Sequence, residues 1–136
     1  MSAEPDPKTP QSFKPGKPKN ELHRWIFATQ NSIKGFRAVW REEAAFRSEL
    51  ITLIVLIAPA WWLAESWTTF ALLIGVWILV IAGELVNSAI EASIDRIGPE
   101  FHKLSGKAKD AGSALVLTLM TLALLVWLAV AADRFL

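Results

Sequence analysis

SWTTFALLIGVWILVIAG, residues 66–83, is a run of 18 uncharged residues between Glu65 and Glu84. A helix rises about 1.5 Å per residue and the hydrocarbon core of a bilayer is about 30 Å thick, so this run is long enough to cross. Two neighbours share its character. Ala111 to Ala132 gives 22 uncharged residues between Asp110 and Asp133, and Leu50 to Ala64 gives 15 between Glu49 and Glu65. The shorter run gains length from Ala44, Ala45 and Phe46, with Arg47 and Glu49 directed toward headgroups or into protein. Buried helices of soluble proteins also carry apolar runs this short, but two spanning neighbours favour a third span. Pro59 lies within it and allows either a mild kink or an early end near Trp61 and Trp62. The 136 residues are 53% hydrophobic and 20% charged, and a single small domain this apolar could not solvate itself as a soluble globule. The expected fold is an all-α membrane protein with three transmembrane helices.

Charge placement gives direction. Nine Lys/Arg precede residue 50, four lie in residues 84–112, none lies in the turn around Glu65, and Arg134 alone follows the third run. The thirteen-to-one asymmetry places the N-terminus in the cytoplasm and the C-terminus outside. Trp61, Trp62 and Trp67 cluster at the Glu65 turn, as an aromatic belt at the opposite interface would. Residues 1–20 are rich in proline and lysine with no apolar core behind them. They read as a disordered cytoplasmic tail and not as a cleavable signal. From Glu21 the pattern changes. Leu22, Trp25, Ile26, Thr29, Ile33, Phe36 and Trp40 form one helical stripe opposite Arg24, Gln30, Lys34, Arg37 and Arg41. This predicts an amphipathic surface helix over about 21–42, lying in the membrane interface. The spans are expected at about 44–64, 66–86 (continuing as a cytoplasmic helix to about 97) and 111–132.

The second run continues directly into ELVNSAIEASID, residues 84–95. At 100° per residue, Glu84, Asn87, Ser88, Glu91 and Asp95 fall within about 100° of one another on a helix. A polar stripe extending an apolar span must face the bundle interior or a wet cavity, since an ion facing lipid at mid-depth costs roughly 2.5–3.5 kcal/mol or more. A solvated helix end would explain Asp95 equally well; it explains Glu84, one residue past Gly83, poorly. With no Cys, and with only His23 and His102, thiol chemistry and Cys- or His-rich metal sites are excluded, so a metal would rest on carboxylates. Two or three carboxylates with an amide suit Mg²⁺, and Glu43 lies at a comparable depth. The following loop, His102 to Asp110, brings Lys103, Lys107 and Lys109, the charges polyphosphate binding needs, although a basic cytoplasmic loop is by itself ordinary positive-inside decoration. There is no phosphate-binding P-loop, no nucleophile elbow and no soluble-kinase catalytic loop. Nothing in the sequence calls for a nucleic-acid partner. Taken alone, these residues fit a metal-dependent enzyme and a proton- or cation-coupled carrier equally.

The run Glu84-Leu-Val-Asn-Ser-Ala-Ile-Glu-Ala-Ser-Ile-Asp-Arg-Ile-Gly98, with Leu104-Ser-Gly-Lys-Ala-Lys-Asp-Ala-Gly-Ser113 and Glu43-Ala-Ala-Phe-Arg47, closely resembles the prokaryotic diacylglycerol kinase family. The resemblance extends from about Arg24 to Leu136 in order. It implies a homotrimeric integral kinase domain over 21–136, in the bacterial inner membrane, that transfers the γ-phosphoryl of MgATP to diacylglycerol, giving phosphatidic acid. Related members phosphorylate undecaprenol instead. By matching motif, Glu84 would be the general base, Glu43 and Glu91 the metal ligands, and Asn87 their support. Arg24, Asn31, Glu43, Glu91, Glu100, Phe101, His102, Lys109 and Asp110 would meet the nucleotide. Arg24, Thr29, Ile33, Arg37, Trp40, Phe46, Arg47, Glu84 and Ser113 would border the lipid. Asn31 and Phe101 stand where the family is expected to carry tyrosines, and Pro99 follows Gly98 where a small polar residue is usual.

Overall fold

The computed structural model describes residues 20–98, 100 and 102–136, so the tail expectation for residues 1–19 lies outside the described residues. Among those residues there are four helices and no strand: α1 (Glu21–Glu42), α2 (Ala44–Leu63), α3 (Trp67–Asp95) and α4 (Lys103–Phe135). The last three are long and apolar enough to cross a membrane. At about 1.5 Å per residue, α2 is about 30 Å long and α3 and α4 exceed 40 Å.

Asn20 starts α1 by accepting the His23 backbone N–H on its side-chain oxygen at 2.9 Å. The part of α1 up to Gly35 belongs to one compact unit, and Phe36 to Leu136 form another. Within the first, Leu22, Trp25, Ile26 and Ile33 leave their side chains exposed, the surface an interfacial helix uses. Glu43 alone separates α1 from α2; its extended backbone (φ −104°, ψ 115°) breaks the helix for one residue. Arg47 reaches back across this joint and donates to the Trp40 and Arg41 carbonyls at 2.9 and 3.3 Å, satisfying acceptors that the end of α1 leaves open. Helix α2 passes through Pro59 and continues to Leu63, so the proline does not end it before the tryptophan pair.

Ser66 caps α3 by accepting the Thr69 N–H at 3.1 Å. Near this end Ala60, Leu63 and Leu73 are buried against Val126, Trp127 and Val130, and further along Val76, Val80 and Ala123 make a second cluster with Trp77 and Leu119. Two indoles tie the helices through polar bonds. Trp77 Nε1 donates to the Glu49 carbonyl at 2.9 Å and Trp127 Nε1 to the Leu73 carbonyl at 3.2 Å. Each meets the hydrogen-bond need of an N–H group that lipid could not meet. At the α2–α3 turn, Trp61 lies against Trp67 (ring centroids 5.3 Å apart) and Phe70 (5.8 Å). Glu65 in the same turn pairs with Arg134 near the end of α4 at 3.2 Å.

The basic segment expected as a loop is helical. His102 accepts the Leu104 N–H on Nδ1 at 3.2 Å, and α4 begins at Lys103, ahead of the uncharged run that starts at Ala111. Lys, Leu and Ala are strong helix formers, and here a charged segment extends the span's own helix. The chain leaves α3 through Arg96, Ile97 and Gly98, whose φ of +144° is one that side chains rarely adopt.

Candidate active site

The polar stripe of α3 turns inward. Glu84 is 4% exposed, Asn87 and Ser88 are buried, Glu91 is half-buried and Asp95 is exposed. Burial thus falls along the helix from Glu84 toward its C-terminus, and the solvated-end reading fails for Glu84. Asn87 Nδ2 donates to Glu91 Oε1 at 3.2 Å, one turn along. Packing opposite Asn87 depends on Gly112 of α4, where any added Cβ would collide with Asn87 Oδ1.

Helix α2 brings a carboxylate that the sequence reading left without a role. Glu49 is 6% exposed and lies within electrostatic range of Glu84 of α3. Glu43 and Glu91 also lie within electrostatic range of Glu84, so four carboxylates, from two helices and the α1–α2 joint, lie toward the same end of the bundle. The only sequence signal for Glu49 was its cost: a carboxylate at the start of an apolar span needs a partner or a task. Among the described residues, Glu49 Oε2, Asn87 Oδ1 and Ser88 Oγ are buried without a hydrogen-bond partner. Buried polar groups are ordinarily satisfied, so these three atoms mark the polar interior of this end of the bundle.

Glu43 joins α1 to α2 without spending its carboxylate on capping. Among the described residues no set of three or more His, Asp or Glu converges as a ready metal cluster. Magnesium does not require one. It typically takes one or two carboxylates, retains water and draws its other ligands from substrate phosphates. Glu43 and Glu91 could supply carboxylate oxygens of that kind, with the Asn87 amide nitrogen holding Glu91 in place.

The basic partner arrives from α4. Lys109 Nζ donates to Asp95 Oδ1 at 2.6 Å and also lies within the field of Glu91. Asp110 and Ser113 are exposed on the next turn. Glu100 and His102 line a 760 Å³ cleft with Ile94, Gly98, Leu104 and Ser105, while Pro99 and Phe101 lie outside the described residues. Arg37, Trp40 and Phe46 meet in a second groove, of 430 Å³, at the α1–α2 corner. Arg47 is engaged with the end of α1 as described. In the N-terminal unit, Arg24 pairs with Glu21 at 2.7 Å, the Thr29 hydroxyl donates to the Trp25 carbonyl, and Asn31 and Ile33 are exposed.

Three long apolar helices enclosing carboxylates at one end, with a lysine facing them, define a helical membrane protein built around a buried acidic site. A family profile for prokaryotic diacylglycerol kinase matches residues 30–131. A diacylglycerol kinase of Escherichia coli strain K12 is 48% identical over 104 residues, which cover 76% of this chain and 85% of the relative. One from Pseudomonas aeruginosa is 43% identical over 113 residues (83% and 92%), and one from Haemophilus influenzae 41% over 106 (78% and 90%). The chain belongs to the prokaryotic diacylglycerol kinase family.

Proposed function

We propose that this protein transfers the γ-phosphoryl group of MgATP to the free hydroxyl of diacylglycerol, yielding phosphatidic acid and ADP at the cytoplasmic face of the bacterial inner membrane. The observation that carries this reading is Glu84: a buried carboxylate among three others, at the end of an apolar span, with a lysine one helix away. The lipid hydroxyl gives its proton to the Glu84 carboxylate as its oxygen bonds to the γ-phosphorus. The bond from that phosphorus to the bridging oxygen breaks, and the electron pair leaves with ADP. A magnesium ion held by Glu43 and Glu91, with Asn87 in support, would neutralise charge on the phosphates. Lys109 and Asp110 are assigned to the phosphates, and the family motif would assign Glu100, Phe101, His102, Asn31 and Arg24 to the rest of the nucleotide. The family motif would likewise assign Arg37, Trp40, Phe46, Arg47, Thr29, Ile33, Arg24 and Ser113 to the lipid. Phosphoryl transfer rests on positioning and charge neutralisation more than on covalent help, which suits a site made of carboxylates and lysine.

The test is γ-labelled ATP offered to purified protein in detergent with diacylglycerol or undecaprenol separately. Label should appear in the diacylglycerol product and depend on added Mg²⁺. Transfer to undecaprenol alone would reassign the substrate. Proton or cation flux in liposomes with no ATP turnover would replace the kinase reading with a carrier.

The membrane face follows from the charge asymmetry, with the N-terminus cytoplasmic and the C-terminus periplasmic. A reporter that functions only in the periplasm should be active when fused after Leu136; a cytoplasmic signal there would put the acidic site on the side without ATP. The working form is proposed to be a homotrimer. Ile51, Ile54 and Val55 of α2 and Leu117, Leu124 and Leu128 of α4 remain exposed on the protomer, supplying apolar surface for lipid and for neighbouring copies.

A further inference from the structure

Asp95 shares the α3 stripe with Glu84 and Glu91, and spacing alone would make it a further oxygen donor to the cluster. The structure gives it another partner. Its Oδ1 accepts from Lys109 Nζ at 2.6 Å, joining the last residue of α3 to the second turn of α4. The pair is a poor stabiliser. Side-chain exposure is 67% for Asp95 and 38% for Lys109, and ion pairs this open to solvent contribute little to folding. Its value lies in orientation. A lysine ammonium is a point charge on a flexible four-carbon stem with three N–H donors, and unrestrained it samples many rotamers. Committing one donor to Asp95 fixes the stem and leaves two donors. The fixed ammonium lies within the field of Glu91, one turn back along α3, itself held by Asn87. Asp95 thus sets the position of the cationic group relative to the carboxylate cluster before any ligand arrives.

We propose that Asp95 is a positioning residue for Lys109, holding the ammonium where it meets the phosphates of a bound nucleoside triphosphate, and that it takes no part in holding the metal. This rests on the kinase reading above. Ordering a side chain in advance lowers the cost of ordering it on binding, so the effect should fall on nucleotide affinity and not on the chemical step.

The experiment compares wild type, Asp95→Asn, Asp95→Glu, Lys109→Met and the Asp95→Asn/Lys109→Met double variant. Two readouts are taken: dissociation of a fluorescent ATP analogue without metal, and steady-state lipid phosphorylation with ATP and Mg²⁺ varied separately. Asp95→Asn should weaken analogue binding and raise KM for ATP about 5–10-fold, with kcat within about twofold and the Mg²⁺ midpoint unchanged, as loss of an orienting charge-assisted hydrogen bond predicts. Asp95→Glu should recover part of the affinity. In the Lys109→Met background the Asp95 change should have almost no further effect, because its partner is gone. A raised Mg²⁺ midpoint with unaltered analogue binding would make Asp95 a metal ligand. Tighter analogue binding in Asp95→Asn would make it a competitor of the phosphates. Additive losses in the double variant would uncouple it from Lys109, and each of these three results overturns the proposal. Absence of ATP-dependent phosphorylation in the wild type would instead count against the kinase reading itself.

Discussion

Glu84→Gln is expected to lower kcat by about 10²–10⁴-fold, the usual range for loss of a general base, with no recovery at any concentration of Mg²⁺ or Mn²⁺. The amide occupies the same volume and keeps an acceptor, but it cannot take the proton of the lipid hydroxyl. Nucleotide binding should survive, because Glu84 is buried on α3 while Lys109 and the 760 Å³ cleft are formed by other residues. Glu91→Gln should fail differently. It would weaken the proposed metal ligand, which accepts from Asn87 at 3.2 Å, so activity should fall and then partly return as divalent metal is raised. The check is a metal titration of both variants under saturating ATP. If metal rescues Glu84→Gln and leaves Glu91→Gln inactive, the two roles are exchanged.

The second large effect is expected at Gly112. Its α-carbon lies against Asn87, and a methyl group there would strike the side-chain oxygen directly, with the Asn87 α-carbon 3.6 Å away. In Gly112→Ala the Asn87 amide has to turn aside, breaking its bond to Glu91. In Gly112→Val the branched side chain also meets Asn87 backbone. Overpacking of this kind costs about 1–3 kcal/mol, so thermal unfolding in detergent should shift down for Val by more than for Ala. Both should need more Mg²⁺ for half-maximal activity. Shortening Asn87 removes the obstacle: in an Asn87→Ala background Gly112→Ala should be nearly neutral, a non-additivity of about 0.5–3 kcal/mol. Additive losses would mean that the glycine serves the close approach of α3 and α4 in general and not the asparagine.

The three spans were legible because charge is absent from long runs, and the face of α3 was legible because five polar residues share one helical arc. Glu84, placed inward by that arithmetic, is buried. Glu49 was not legible as part of the site. Its position along the chain gives its depth, but which way it faces depends on how α2 packs against α3, and α2 is apolar nearly all round. The start of α4 was misread for the opposite reason. Lys103, Lys107, Lys109 and Asp110 precede the hydrophobic run, and hydropathy alone carries no signal that the helix already begins there. The Lys109–Asp95 pair and the indole bonds of Trp77 and Trp127 join residues 14, 28 and 54 positions apart, and no local pattern announces them. Family resemblance supplied residue roles that spacing could not, and it did so without indicating Glu49.

Helix α2 carries Glu43 just before its first turn and Trp61 in its last, 18 positions apart, or about 27 Å along the axis. That is close to the thickness of the hydrocarbon layer it crosses. The Trp61–Trp67–Phe70 group prefers the water boundary, and the Glu65–Arg134 pair fastens α4 to the same level. The chain is therefore a depth gauge, zeroed at its aromatic end and read at its acidic end. In a bilayer thicker than the gauge, the carboxylates sink toward the acyl chains and a lipid hydroxyl must descend to reach them. In a thinner one they rise into water. Membrane thickness is thereby expected to influence the proposed reaction through the length of a single helix.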